Sequence, residues 1–207
     1  MDKTAFFKLS YGLYIITSQC DNKDGGCIAN TFTQVTSEPS QVCITLNKNN
    51  FTTKLIENSC VFNCGVLLDD VSMDIIRHFG FQSGKDVDKF KDVDYFVDSQ
   101  NVKQIKEGLA ATFTCKVNKI IDVGTHEMFV AEVVDAKVLS NQEVLTYSNY
   151  HSKKKGSTPK NAPSYVEETT KTGWRCDVCG YIYEGETLPE DYTCPVCKID
   201  ASHFQKI

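Results

Sequence analysis

The chain has 207 residues, 41% of them hydrophobic and 24% charged, and carries a net charge of −5. This length corresponds to one or two domains, and the acidic balance argues against binding to nucleic-acid phosphates. No apolar run approaches the ~20 residues of a membrane span, and the first residues lack a signal-peptide core. We therefore expect a cytoplasmic protein whose ten cysteines act as thiols or metal ligands, not as disulfides.

Residues 1–150 predict a mainly β domain. β-Branched and aromatic runs alternate with turn residues. A turn is predicted at residues 21–26, where Gly25–Gly26 between two such runs is a hairpin signal. Short helices are predicted over 51–59 and 73–80. Many strands and few helices indicate an antiparallel barrel or sandwich. The predicted strands are 14–20, 27–36, 42–47, 60–68, 108–123 and 127–139.

The composition changes in the last quarter of the chain. Residues 151–171 are polar and contain Gly156 and Pro159, which predicts a linker between domains at 1–150 and 172–207. As a coil of about 21 residues it would span roughly 25 Å, so the C-terminal domain need not be rigidly docked. That domain is too short to fold on a hydrophobic core alone, so metal binding must supply most of its stability.

Two Cys-x-x-Cys pairs, 14 residues apart, supply the predicted metal ligands Cys176, Cys179, Cys194 and Cys197. Four sulfur ligands are typical of zinc or iron, and the spacing alone is close to that of a zinc ribbon. The neighbouring residues favour iron, because Gly180 permits a tight turn and the surrounding aromatic residues would form an apolar shell that tunes a redox metal. The other six cysteines are predicted to be small buried hydrophobic residues.

The motifs CDVCGYIYEG and CPVC resemble those of rubredoxins, which carry electrons on one iron bound by four cysteines. The gap between the pairs is shorter than in stand-alone rubredoxins and is similar to that of rubredoxin-like modules appended to other proteins. Lys198 stands where the second turn usually has glycine, and a left-handed conformation there costs about 1–2 kcal/mol. Because one iron carries a single electron, the first domain is expected to hold a two-electron cofactor such as a flavin.

Polar side chains embedded in the apolar stretch 27–52 are the candidate flavin ligands. Amides and hydroxyls can hydrogen-bond the ring edge, Lys48 can pair with a phosphate, and Thr52 can offer its hydroxyl and backbone N–H to the same phosphate. The alternative is that these residues only satisfy strands and turns. No Gly-x-Gly-x-x-Gly occurs, so the flavin would bind outside a doubly wound sheet. The candidates are Asn30, Thr31, Gln34, Thr36, Asn47, Lys48, Asn49 and Thr52.

The segments IANTFTQVTSEP and ITLNKNNFT resemble the signature of the flavin reductase-like, FMN-binding split-barrel family. The resemblance covers about residues 1–150 and implies a Greek-key antiparallel barrel with short helices. It implies that residues 30–36, including Val35, lie along the isoalloxazine ring, that residues 47–52 surround the phosphate, and that the protein is a homodimer. It also makes His126 a candidate catalytic residue facing the flavin or the nicotinamide; a surface turn histidine is the alternative.

The whole arrangement resembles the high-molecular-weight rubredoxins, in which a flavin reductase-like domain is joined to a C-terminal rubredoxin. This resemblance implies that NADH or NADPH passes a hydride to FMN and that FMN passes single electrons to the iron. The iron would then reduce a flavodiiron protein that removes nitric oxide or dioxygen. The alternative function is that of a flavin reductase whose C-terminal zinc ribbon serves as a docking module.

Overall fold

The computed structural model describes residues 1–154, 156–158, 162 and 172–207. The N-terminal domain contains the strands β1 (Tyr14–Cys20), β2 (Lys23–Ala29), β3 (Thr33–Ser37), β4 (Ser40–Asn47), β5 (Val61–Leu67), β6 (Tyr95–Val97), β7 (Lys103–Ile105), β8 (Leu109–Asp122) and β9 (His126–Val138). Its helices are α1 (Phe51–Ser59), α2 (Met73–Gly80) and α3 (Tyr147–Ser152), preceded by a 3-10 helix at Lys3–Lys8. The C-terminal domain contains β10 (Trp174–Cys176), β11 (Ile182–Tyr183), a 3-10 helix at Ala201–His203, and β12 (Phe204–Lys206).

Seven strands form one antiparallel sheet in the order β2-β1-β5-β8-β9-β4-β3. The long strands β8 and β9 pair along most of their length, and their register shifts twice. Such bulges bend a strand and increase its twist, which lets the sheet curl around its own core. A separate hairpin of β6 and β7 was not predicted. The structure confirms the mainly β fold, and no helix within the described ranges has the length and hydropathy of a membrane span.

The first hairpin turns within the predicted segment 21–26, at its first two residues. Asp21 and Asn22 form a two-residue turn with φ of 51° and 60°, the left-handed pair that a type I′ hairpin requires. The two glycines lie inside β2 instead. A Cβ on Gly26 would lie 2.8 Å from the ring of Phe79, and a Cβ on Gly25 would collide with a side chain of α1. The two glycines were expected in the turn, and they instead allow helices to pack closely on the strand.

Two other predicted boundaries also differ. The predicted strand 27–36 is interrupted at residues 30–32, so that it forms β2 and β3 separately. Helix α3 runs past residue 150 into the predicted linker, and the Gly156 N–H then donates to the Tyr150 carbonyl at 2.9 Å. The start of the linker therefore packs on the N-terminal domain, while most of the linker lies outside the described residues.

The hydrophobic core has two parts, one inside the curled sheet and one beneath α2. Cys27, Cys64 and Cys115 are buried in it, as expected for small hydrophobic residues. Cys60 is exposed, so the prediction was wrong there. The reason is local: Cys60 caps the C-terminus of α1 with a left-handed φ of 57°, and its side chain is left at the surface.

Lys89 is a fully buried cation of the N-terminal domain, with 0% of its surface exposed. Its Nζ donates to the carbonyls of His78 and Gln82, near the C-terminal end of α2. Burial lowers its pKa from 10.5 to about 8, whereas the two carbonyl bonds favour the charged form. Between these two pH values the unfolded chain binds more protons than the folded one, so this group makes stability rise with pH in that window.

We expect Lys89→Met to remove this pH-dependent rise. The free energy of unfolding of the unaltered protein, relative to that of the variant, should increase by about 1–2 kcal/mol from pH 7.5 to pH 10. Urea unfolding of both proteins at the two pH values measures this difference. Because other groups that titrate are common to both proteins, their effects cancel. If the difference in unfolding free energy between the two proteins is the same at both pH values, Lys89 keeps its ordinary pKa.

Candidate metal centre and cofactor pocket

The structure brings the four predicted metal ligands together. The ligand atoms of Cys176, Cys179, Cys194 and Cys197 all lie within 4.8 Å of one another. The sulfur atoms of Cys176 and Cys197 are 3.6 Å apart, and those of Cys179 and Cys194 are 3.5 Å apart. Metal–sulfur bonds of about 2.3 Å at tetrahedral angles separate sulfur atoms by about 3.8 Å. The cluster therefore fits one tetrahedral metal ion.

Two similar loops hold these sulfur atoms in place. In the first loop, the Cys176 N–H donates to the Tyr181 carbonyl at 2.8 Å, and the Gly180 N–H donates to the Cys176 carbonyl at 2.9 Å. The second loop repeats both bonds around Cys194, at 2.8 and 2.9 Å. Lys198 takes the place of Gly180 there, with φ of 62° against 78°. The left-handed conformation expected at Lys198 is thus present, and the repeated hydrogen bonds offset its cost of about 1–2 kcal/mol.

An apolar shell surrounds three of the four ligands. Cys176, Cys179 and Cys194 have no exposed surface, whereas Cys197 is partly exposed. Such a shell controls the solvent access and dielectric that set the properties of a metal centre. Cys197, the one ligand that is partly exposed, marks the side from which another molecule can approach the centre. The aromatic residues of the shell are Trp174, Tyr181, Tyr183, Tyr192 and Phe204.

A pocket of about 300 Å³ lies in the N-terminal domain, between the ends of β2 and β4, the start of α1 and the end of α2. It is lined by five of the predicted cofactor or catalytic residues. Asn50 and Phe51 also line it and place the N-terminus of α1 at the pocket, where an anionic group is favoured. The five predicted residues are Asn30, Thr31, Asn47, Asn49 and His126.

The other predicted flavin ligands lie outside the pocket wall. Gln34, Val35 and Thr36 are exposed on the edge strand β3. The Lys48 ammonium forms an ion pair with Asp122 at 2.7 Å. Thr52 is buried.

The backbone N–H of Thr52, which was predicted to bind phosphate, donates to the Asn50 side chain at 3.0 Å as part of the cap of α1. Lys48 and the Thr52 N–H thus have protein partners in the structure, and their contact with a phosphate stays a prediction. Asn50 lies within the range 47–52 expected around the phosphate but was not named as a ligand, although an asparagine directly before a predicted helix is a recognisable N-cap signal.

Unpartnered polar atoms show that the pocket fits a flavin. His126 Nε2 and Ser157 Oγ are buried without a hydrogen-bond partner among the described residues, and both residues line the pocket. The other ring nitrogen of His126, Nδ1, is 2.8 Å from the Thr125 hydroxyl. A buried polar group without a partner costs about 1–3 kcal/mol. A planar ring with polar edges, such as a flavin, supplies partners for such atoms while its apolar faces pack on the walls.

The pocket and the metal centre are neighbours. Val178, the residue before Cys179 in the first metal-binding loop, lines the pocket. Phe81, just after α2, lines the pocket and packs against the hydrophobic cluster around the metal ligands. The sequence suggested a C-terminal domain that need not be rigidly docked, and the structure contains a docked arrangement of it. Val178 and Ser157 were missed as pocket residues because only the tertiary fold brings them there.

Comparison with known proteins agrees with this organisation. Residues 6–156 match the flavin reductase like domain family, and residues 174–205 match the rubrerythrin, rubredoxin-like domain family. A high molecular weight rubredoxin from Moorella thermoacetica is 35% identical over 100% of both chains. A ferric-chelate reductase (NAD(P)H) from Archaeoglobus fulgidus is 44% identical over 81% of this chain and 99% of that protein. The solved structure of an NADH:FAD oxidoreductase from Streptomyces globisporus has a TM-score of 0.65 at 24% identity, covering 71% of this chain and 86% of the other, and shows the split-barrel fold.

Proposed function

The chain belongs to the high-molecular-weight rubredoxins, and on that premise we propose that it transfers electrons from NADH or NADPH, through FMN, to an Fe(Cys)4 centre in the same chain. The observation that carries the proposal is the position of Val178, which belongs both to the pocket wall and to the first metal-binding loop. When bound, FMN supplies the chemistry that links a two-electron donor to a one-electron acceptor.

The residues of the pocket would hold the cofactor by its polar edges and its phosphate. The unpartnered His126 Nε2 and Ser157 Oγ point to contacts with the ring, together with Asn30 and Thr31. Asn49, at the start of α1, would contact the phosphate, because a helix N-terminus favours an anion. In this arrangement His126 donates or accepts one hydrogen bond and orients the reacting groups, and it does not need to transfer a proton.

The protein around the metal centre would suit an iron ion that takes up and releases one electron. Three buried ligands and the aromatic shell keep water away, and the backbone N–H groups of both loops are fixed by hydrogen bonds. Phe81 packs against the cluster around the metal ligands, and both Phe81 and Val178 line the pocket. These residues therefore connect the two cofactor sites by apolar contacts.

The acceptor that we propose is a flavodiiron-type redox protein in the cytoplasm, which would reduce nitric oxide or dioxygen. Support comes from the partly exposed ligand Cys197, which gives such a protein access to one side of the metal centre. Electron transfer between proteins does not require a large interface, so an exposed ligand edge is sufficient for a transient complex.

We further propose that the active form is a homodimer. Large hydrophobic side chains are exposed along the β8–β9 ribbon, with Ile120 (41% exposed) towards one end and Val134 (43%) and Val138 (76%) towards the other. A second copy that packs along the ribbon would cover these separate apolar side chains. Burying them against a second copy would remove their apolar area from water.

Anaerobic stopped-flow spectroscopy with NADH tests the proposed function. Flavin absorbance should decrease first, and the visible bands of the ferric centre should then disappear at a rate that does not depend on protein concentration, as expected for transfer within one molecule. Metal analysis should give one iron per chain. A protein that contains zinc, or that reduces an added ferric chelate with NADH while its own iron stays oxidised, would contradict the proposal.

A further inference from the structure

Arg77 of α2 makes polar contacts with the C-terminal domain. Its Nε donates to the Val196 carbonyl at 2.5 Å and its Nη2 to the Pro195 carbonyl at 3.4 Å. Both carbonyls lie between Cys194 and Cys197, in the second metal-binding loop. A guanidinium presents several N–H donors in one rigid plane, so one side chain can hold two successive carbonyls.

Arg77 is itself held in position by α2. Its Nη1 forms an ion pair with Asp74 Oδ1 at 2.7 Å, one turn earlier on the helix. The Arg77 side chain is 23% exposed, whereas that of Asp74 is 86% exposed. Asp74 therefore orients the guanidinium, and its own surface faces solvent.

Apolar contacts surround the Arg77 hydrogen bonds on the side that faces the pocket. Phe81, four residues after Arg77, packs on the cluster around the metal ligands, and Val178 closes the pocket wall from the other domain. Tyr150 also lines the pocket, so Phe81, Tyr150 and the first metal-binding loop all contribute to its wall.

We infer that Arg77 is a positioning residue that holds the metal-binding loops against the cofactor pocket, so that electrons cross between the two sites from one defined arrangement. This inference rests on the proposed function but adds a specific residue to it. Phe81 and Val178 give the contact its apolar area, and the two carbonyl hydrogen bonds select one orientation of the C-terminal domain. Without Arg77 that domain stays tethered by the linker and samples many orientations.

Two variants separate the effect of the Arg77–carbonyl hydrogen bonds from that of the Arg77–Asp74 ion pair. Arg77→Ala removes the carbonyl contacts and the ion pair, whereas Asp74→Ala removes only the ion pair. Small-angle X-ray scattering of the full chain should show a larger radius of gyration for Arg77→Ala and an unchanged one for Asp74→Ala. In stopped-flow experiments, the rate of flavin reduction by NADH should stay the same in both variants. The rate of iron reduction should fall about tenfold or more in Arg77→Ala, and less than about threefold in Asp74→Ala.

A third variant, Arg77→Lys, keeps the charge but can reach only one of the two carbonyls, so it should recover part of the lost iron-reduction rate. The inference is overturned if Arg77→Ala scatters like the unaltered protein and reduces its iron at the same rate. If the unaltered protein never reduces its iron, the proposed function fails. The scattering comparison still decides whether Arg77 holds the domains together.

Discussion

Replacing Cys179 with serine is expected to remove the metal and unfold the C-terminal domain, while the N-terminal domain stays folded. The buried residues in the cluster of the C-terminal domain are three ligands with Val196 and Phe204, a core too small to stabilise a domain by itself. Structural metal sites with sulfur ligands supply on the order of 10 kcal/mol of binding free energy, and in such domains this is folding free energy. Loss of one ligand removes most of it.

Metal content and the visible spectrum measure the first effect, and amide hydrogen exchange over residues 172–207 measures the second. Cys60→Ser is the matched control, because Cys60 is exposed and far from the cluster in sequence, so it should keep both metal and fold. Chelation of the metal from the unaltered protein should reproduce the effect of Cys179→Ser. A Cys179→Ser protein with slow exchange and a full metal content would contradict the expectation.

The substitution Gly26→Ala should lower both stability and flavin content. Its Cβ would lie 2.8 Å from two ring carbons of Phe79 and 3.3 Å from Thr17 Cγ2, and Phe79 is 99% buried, since only 1% of its surface is exposed. The ring must therefore move, and overpacking of this kind costs about 2–3 kcal/mol. Because Phe79 lines the pocket, its displacement also narrows the space for the flavin.

Gly80→Ala is the control for this prediction. Gly80 lines the same pocket, but its Cβ would approach no neighbour more closely than Ile28, at 3.4 Å, and alanine is favoured over glycine in a helix. Urea unfolding gives the stabilities, and absorbance after gel filtration gives flavin per chain. We expect a several-fold loss of flavin for Gly26→Ala and none for Gly80→Ala. Equal behaviour of the two variants would show that the close approach of Phe79 is unimportant.

The sequence was most informative where function depends on local spacing. Two Cys-x-x-Cys pairs fix the sulfur positions within each loop, and even the unusual conformation of Lys198 followed from the position of the residue in its turn. The helices at 51–59 and 73–80 were also located correctly, because capping residues and apolar periodicity are local signals.

Prediction failed where a distant part of the chain decides the outcome. Gly26 is a strand residue because Phe79 packs on it. The pocket residues Ser157 and Val178 come from segments that were assigned to a linker and to a metal module. None of these contacts is encoded in a local pattern, so propensity and spacing could not reveal them.

Part of the pocket wall belongs to the C-terminal domain, through Val178. A wall that comes from a tethered domain covers that side of the reduced cofactor only while the domain is in contact. Exclusion of water and side reactants is a general use of a closed site. The contact through which electrons pass to the metal centre is therefore also expected to limit electron transfer to dioxygen. Variants that loosen this contact should produce hydrogen peroxide in air.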